Sequence, residues 1–460
     1  MVSKNRLSMI QLPIQLREMQ DGSFSVLDSG PNSTTSVNII SKPPLDGVNL
    51  DSETDSSLNL ISKPPPDGGI TAWTQVCVAY LLVFNGFGYV SSFGIFQEYY
   101  TETLGRTASD VSWVGSVQLF LLFFVGTFSG RAMDAGFFRS LIISGCLMQL
   151  IGVFATSFAT VYWQFFLAQG ILQGIGNGFL FTPLVALVSS YFSPPKRTFP
   201  LGLASCGAPT GGVVFPLIAR QLLPQIGLGW TTRVMGFVIL FNVTLIFIFM
   251  RPRVVNRVKG PLIEWRAFKE PAYSLFAIGV FFALWGLYFA YYYVAVYGKS
   301  VLHVSSDSSL ILLMVMNSVG VAGRLGPALL SDKYFGPYNT LIPSVFSVGV
   351  ILFCWIRVES FDGMLAWGVF YGFWANSVQT LFPSALSSLT VDPTKLGVRV
   401  GMVFTIISIA CLTGPPIAGA LIQANQGSFL SAQLFGGATV LLGTAILVLG
   451  RIAKFTAGPV

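Results

Sequence analysis

From residue 72 onward the chain alternates long apolar blocks with short polar interruptions. The blocks fall near 72–96, 111–131, 140–158, 163–190, 200–222, 232–250, 272–297, 308–330, 340–357, 363–388, 400–422 and 429–450. Each is close to the 20 or so residues that an α-helix needs to cross the hydrocarbon of a bilayer. Gly and Pro recur inside them, which spanning helices tolerate because neighbours re-satisfy the freed backbone groups. The pattern predicts an all-α membrane protein with twelve transmembrane helices. Residues 1–70 show no such blocks. They are rich in Ser, Asp, Pro and Asn, too polar to offset their own ordering entropy, and predict a disordered tail. A short duplication in it, Asn38–Gly47 against Asn59–Gly68, needs no function beyond slippage in a linker.

Composition sharpens this picture. Of 460 residues, 53% are hydrophobic and 10% charged, against roughly 25% charged in a soluble domain, so lipid is the expected solvent. The net charge of +7 is scattered in ones and twos between apolar blocks, which suits membrane-surface loops and no nucleic-acid partner. Cys77, Cys146, Cys206, Cys354 and Cys411 all fall in apolar stretches, without metal-ligand spacing. With the N-terminus inside, 21 of the 26 Lys and Arg fall on the cytosolic side and five, Arg106, Arg220, Arg233, Lys299 and Arg357, outside. That bias predicts cytosolic termini. The sequon at Asn32 then stays unglycosylated, and the one at Asn242 lies within a span.

The two halves of the chain repeat at an offset near 200 residues. Phe181-Thr-Pro183 matches Leu381-Phe-Pro383, Asp134 matches Asp332, and the 14-residue interval from Gly202 to Pro216 recurs from Gly401 to Pro415. Two six-helix parallel repeats are therefore expected, rocking about a central site to give alternating access. The domains read as a tail 1–70, a bundle 71–250, a basic cytosolic linker 251–271, a second bundle 272–450 and a tail 451–460.

The loop after span two, Gly130-Arg-Ala-Met-Asp134-Ala-Gly136-Phe-Phe-Arg139, resembles the signature of the major facilitator superfamily, with a weaker copy at Ala328–Gly336 containing Asp332 and Lys333. These two copies, through Asp134, Arg139, Asp332 and Lys333, are candidates for a conformational latch, against a plain tight turn. Pro66-Asp67-Gly68-Gly69-Ile-Thr-Ala-Trp73, opening the first span, resembles the opening motif of the monocarboxylate porter family and its fungal members in particular. Asp67 is placed to cap the first helix, the glycines allow a sharp approach, and Trp73 suits the headgroup level. Ser92–Phe96, Gly229–Arg233 and Gly414–Gly419 continue the likeness, which spans residues 66 to about 450. Two departures count against lactate-type proton symport. Proton-coupled animal members carry a Lys where Ser91 stands and an Asp where Gly320 stands; Arg324 alone remains of that set.

None of the 19 acidic residues lies mid-membrane by these boundaries, and Glu98, just past span one, is the best remaining proton carrier. His303, the only histidine, falls in an outer loop. Candidates for the pathway are polar or aromatic residues in spans one, four, seven, eight and ten. Asn85 lies in span one. Gln169, Gln173 and Asn177 recur every four residues, so they share one helix face that points to the cavity or to a neighbouring helix. Trp285, Tyr288 and Tyr292 form a stripe in span seven; Tyr371, Trp374, Asn376 and Gln379 lie in span ten. Arg324 either snorkels to the cytosolic face or stands as a fixed cation in the cavity. Gly207–Gly212 resembles a motif of drug/proton antiporters, where it bends the helix and allows close packing.

The reading is a secondary transporter moving a small organic solute, monocarboxylate-like or heteroaromatic and anionic at need. The alternatives are an exporter of a secondary metabolite and a non-transporting nutrient sensor. No intramembrane His, Cys or acid cluster suits an enzyme, and no metal or cofactor is expected. The partners are the solute and the bilayer, with the protein monomeric, in the plasma membrane or in a vacuolar or other endomembrane.

Overall fold

The computed structural model describes residues 65–193, 196–253, 263–390 and 395–456. The tail with its duplication and Asn32, and linker residues 254–262, lie outside them, as do the side chains of Glu98 and Asp134. All regular structure among the described residues is helical, without a strand.

Helix α1 starts at Ile70, directly after Asp67, Gly68 and Gly69, all at positive φ. It runs to Leu104 through a π-helical turn at Phe84–Gly88 and a break at Ser92, and stops at Gly105 in the left-handed conformation, a usual helix end. Next come α2 (Ala108–Asp134), whose first turn is capped by the Thr107 hydroxyl, and α3 (Phe138–Thr156). Helix α4 (Tyr162–Tyr191) contains a second π turn, Phe166–Leu172. It is followed by α5 (Thr198–Ser205), α6 (Gly207–Phe249), α7 (Pro271–Ser300) and α8 (Ser306–Leu330, prolonged by a π turn Ser331–Phe335). The last four are α9 (Pro337–Cys354), α10 (Phe361–Leu389), α11 (Leu396–Ala424) and α12 (Leu430–Thr456).

Ten stretches among the described residues are long and apolar enough to cross a membrane. One of them, Thr198–Phe249, joins α5 and α6 over 52 residues. The 43 residues of α6 alone, drawn straight, would reach about 65 Å, twice the hydrocarbon thickness. It is not straight: Gly227, at φ 70° and ψ 174°, interrupts it, between the predicted blocks 200–222 and 232–250. Helix α10, 29 residues long, is not among the ten. It carries Asn376, Ser377, Gln379, Thr380 and Ser384, which lower its hydropathy and which reappear below.

Buried side chains form two apolar clusters. One draws on residues 72–246 plus Leu310; the other on residues 267–447 plus Leu119, Leu122 and Phe123 of α2. Large apolar residues such as Phe241 and Phe370 lie exposed on the outside, as expected of a surface solvated by lipid. Glycine sets the tightest crossings. A Cβ on Gly211 would lie 2.7 Å from the Gly88 Cα, and one on Gly207 only 2.2 Å from the Tyr80 carbonyl oxygen, so α1 and α6 touch backbone to backbone. The repeated glycines do matching work. Gly202 of α5 packs on Arg324 and Ala328 of α8, and Gly401 of α11 packs on Thr127 of α2.

On the face where the linker rejoins the bundle, Arg399 of α11 is buried against two carboxylates. Its Nε donates to Glu264 at 3.0 Å and its Nη1 to Glu270 at 2.8 Å. The Arg399 hydrogen bond, with Lys395 beside it, holds the Glu264 carboxyl below its usual range, and the two contacts of Arg399 strap the 3-10 turn Trp265–Lys269 to α11.

Candidate functional site

Between the two apolar clusters lie two adjoining lobes, concave and mostly apolar with a few convergent polar groups, as small-molecule sites are. Phe87, Ala208, Tyr288, Arg324 and Gln379 border both. The first lobe is aromatic and aliphatic, walled by Phe123, Phe181 and Phe382 among others. The second is more polar, with Ser91, Tyr291, Tyr292, Asn317 and Asn376.

Arg324 sits at the junction and is only 5% exposed. Its Nε donates to the Asn376 Oδ1 at 2.9 Å, and its Nη2 to the Gln379 Oε1 at 3.1 Å. Asn376 in turn donates to the Tyr291 hydroxyl at 2.8 Å. No carboxylate pairs with Arg324 among the described residues. A buried guanidinium with only amide acceptors retains its full charge and unused donor capacity. It is therefore a strong attractor for an anion entering either lobe.

The proposed pathway residues divide. Arg324, Tyr288, Tyr292, Asn376 and Gln379 come together at the lobes. The amides of α4 go elsewhere: Gln169 accepts from Tyr100, Gln173 accepts from Gln118, and Asn177 accepts from Gln149. Asn85 accepts from Asn242. All four are buried in contacts between helices of the first cluster, because an amide in a lipid-solvated bundle finds its cheapest partner on an adjacent helix. Trp285 donates to Thr413 and packs against Phe435, and Tyr371 stacks on Trp367 and donates to the Leu287 carbonyl. Trp374 packs beside Phe373. None of these borders a lobe.

Phe87, Phe123, Phe181, Tyr291 and Phe382 were not singled out by sequence. An isolated Phe in an apolar block carries no directional signal. The repeat did hold one: its matched segments contain Phe181 and Phe382, which face the same lobe from opposite halves.

At one end of the bundle Asp332 reaches α5. Its Oδ2 accepts from the Phe199 amide, at the start of α5, at 2.7 Å. Farther in, Ser205 meets Thr380 hydroxyl to hydroxyl at 3.1 Å, and Thr127 donates to the Gly401 carbonyl at 2.7 Å. Of the other latch candidates, Arg139 and Lys333 are exposed, Lys333 lying over the Tyr334 ring, and the Asp134 side chain lies outside the described residues. Asp67 does not cap α1; Gly69 is the N-cap residue and offers no side-chain acceptor. The positive φ values turn the Asp67 carboxylate toward the α4–α5 connection instead, where it accepts from the Ser193 amide and hydroxyl and pairs with Lys196 at 3.7 Å. Those bonds, the Ser193 amide first, hold its carboxyl below the usual range. His303 is an exposed loop residue at φ 51°.

The profile of the Major Facilitator Superfamily matches residues 77–390, and with it the chain belongs to that superfamily and is a membrane transporter. An MFS-type transporter of Gibberella zeae is 42% identical over 88% of this chain and 92% of its own. The aspyridones efflux protein apdF of Emericella nidulans is 34% identical over 85% and 79%. The agnestins efflux protein AgnL12 of Paecilomyces divaricatus is 32% identical over 81% and 86%. The crystal structure of the human organic anion transporter MFSD10 superimposes with a TM-score of 0.64, at 15% identity, over 82% of this chain and 99% of that one; this likeness shows the fold.

Proposed function

We propose that this transporter exports a small, largely aromatic organic product bearing one acidic group. The observation that carries the reading is Arg324: a buried cation, held by two amides, at the junction of an aromatic lobe and a polar one. The aromatic lobe takes the apolar body, Arg324 the anionic group, and Tyr288, Tyr291 and Asn317 any further oxygens. Export is supported by the relatives named as efflux proteins.

The finer architecture belongs to the same reading. Counting α10, and dividing Thr198–Phe249 at Gly227, gives twelve crossings. The positive-inside bias puts both termini and the Asp332 end in the cytosol. The halves are 71–250 and 272–450, with the Asp332 contact and its repeat mate at Asp134 serving as latches, in a plasma-membrane protein of monocarboxylate-porter-like opening motif. Closed contacts at Asp332, Ser205 and Thr127 then describe a state shut toward the cytosol.

Export is tested in vesicles prepared in both orientations and offered a panel of aromatic acids, with and without a pH gradient. Concentration of a solute inside inverted vesicles is the expected result. Concentration only in right-side-out vesicles would make the protein an importer.

A further inference from the structure

The opening motif borders neither lobe of the cavity, yet it is built with unusual care. Asp67 holds φ 54°, a conformation that residues other than Gly seldom adopt, and it spends its carboxylate on a connection 126 residues away in sequence. Its amide donates to the Tyr191 carbonyl at 3.1 Å, in the last turn of α4. Its carboxylate takes the Ser193 amide and hydroxyl, and Lys196 closes on it. Trp73, one turn into α1, packs edge-on against Phe192 at 5.4 Å and Phe199 at 6.4 Å. The motif thus grips the α4–α5 connection on both sides of residues 194–195.

Phe199 is the second residue of α5, so its amide has no acceptor within its own helix. The Asp332 carboxylate, from the other half of the chain, is that acceptor. Behind it, Gly202 lies on the Arg324 carbonyl and Ser205 on Thr380, so any swing of the α5 N-terminus is felt at the cavity wall.

We infer that Asp67 and Trp73 are positioning residues for the closed gate: they fix the α4–α5 connection so that the Phe199 amide meets Asp332. The motif that opens α1 acts through α5 on the contact between halves. Losing it lets α5 drift and depopulates the closed state, without touching the solute.

Hydrogen exchange of the full-length protein in lipid nanodiscs tests this, because the contact to be read is itself an amide. Asp67→Asn should raise exchange in peptides spanning 198–203 on the order of tenfold, the worth of a charge-assisted hydrogen bond, with peptides from α3 and α12 unchanged. Trp73→Phe should give a smaller rise at the same place. Asp332→Asn should match Asp67→Asn, and the double variant should exchange no faster than Asp332→Asn alone. Wild-type exchange at 198–203 in Asp67→Asn, a rise spread evenly over the protein, or effects that multiply in the double variant would each overturn the inference. Lys196→Gln, at an exposed position, carries the same readout in a smaller rise should Asp67→Asn fail to fold. Transport is not read, so the outcome is independent of the solute proposed above.

Discussion

In the proposed function, Arg324 concentrates the chemistry in one side chain. Its fork matches two amide oxygens on α10, a geometry that a lysine cannot reproduce. Arg324→Lys should therefore cut transport at least about tenfold, since each hydrogen bond to a charged group is worth about 1.5–3 kcal/mol; initial rates in vesicles, normalised to folded protein, give the answer, and wild-type rates would remove the residue from the pathway. Asp67 makes a second residue-scale prediction, in pH. Its folded carboxyl titrates below the ordinary range, so its contribution is present above the unfolded value and lost as pH falls through the lowered one. Melting temperatures of wild type and Asp67→Asn should differ at neutral pH and converge in acid; a gap that stays constant to low pH would contradict the assignment. Sequence gave a partial view at this scale. Arg324 and the amides of α10 could be read because polarity inside an apolar block is conspicuous. The amides of α4 looked the same, and only three dimensions show that their partners are Tyr100, Gln118 and Gln149 on neighbouring helices. Asp67 was legible as a motif but not as a contact, because its partner lies 126 residues away.

Among elements, the decisive contacts are backbone crossings that glycine permits and charges that tie the linker down. Gly211→Ala would drive a methyl into Gly88 of α1 and should abolish a monodisperse protein, whereas Gly94→Ala, whose Cβ would meet nothing nearer than the Leu313 Cδ2 at 3.8 Å, should be tolerated; size-exclusion profiles of the two compare them directly. Arg399→Gln removes the cation that Glu264 and Glu270 share, leaving Glu264 with Lys395 alone. Breaking a buried pair costs about 3–5 kcal/mol, less here because Glu270 is half exposed. A clear drop in thermal midpoint is expected, larger than that of Glu264→Gln, and the reverse order would show that the strap does not run through Arg399. Helix existence was legible almost throughout, since a 20-residue apolar block has few alternatives in lipid. What periodicity does not carry is where a helix is bent within a block. The π turns at Phe84–Gly88 and Phe166–Leu172 fall inside single apolar blocks and leave no mark on them, whereas the break at Gly227 falls between two blocks and was legible.

At the scale of the whole molecule, two apolar clusters flank the cavity, with Arg324 at the junction of its lobes. The 200-residue repeat led to an expectation of two related halves, which remains part of the proposal. The structure puts Gly202 and Gly401 at close helix crossings, and Phe181 and Phe382 on one lobe. The occupant was less legible, because the aromatic wall is assembled from helices far apart in sequence. The measurement that tests the account most directly is transport into inverted vesicles of a panel of aromatic acids, each beside its methyl ester, by wild type and Arg324→Gln. The account predicts at least one acid that wild type carries, whose ester it does not, and which Arg324→Gln loses. An ester carried as well as its acid, or an acid carried by Arg324→Gln at the wild-type rate, would contradict it.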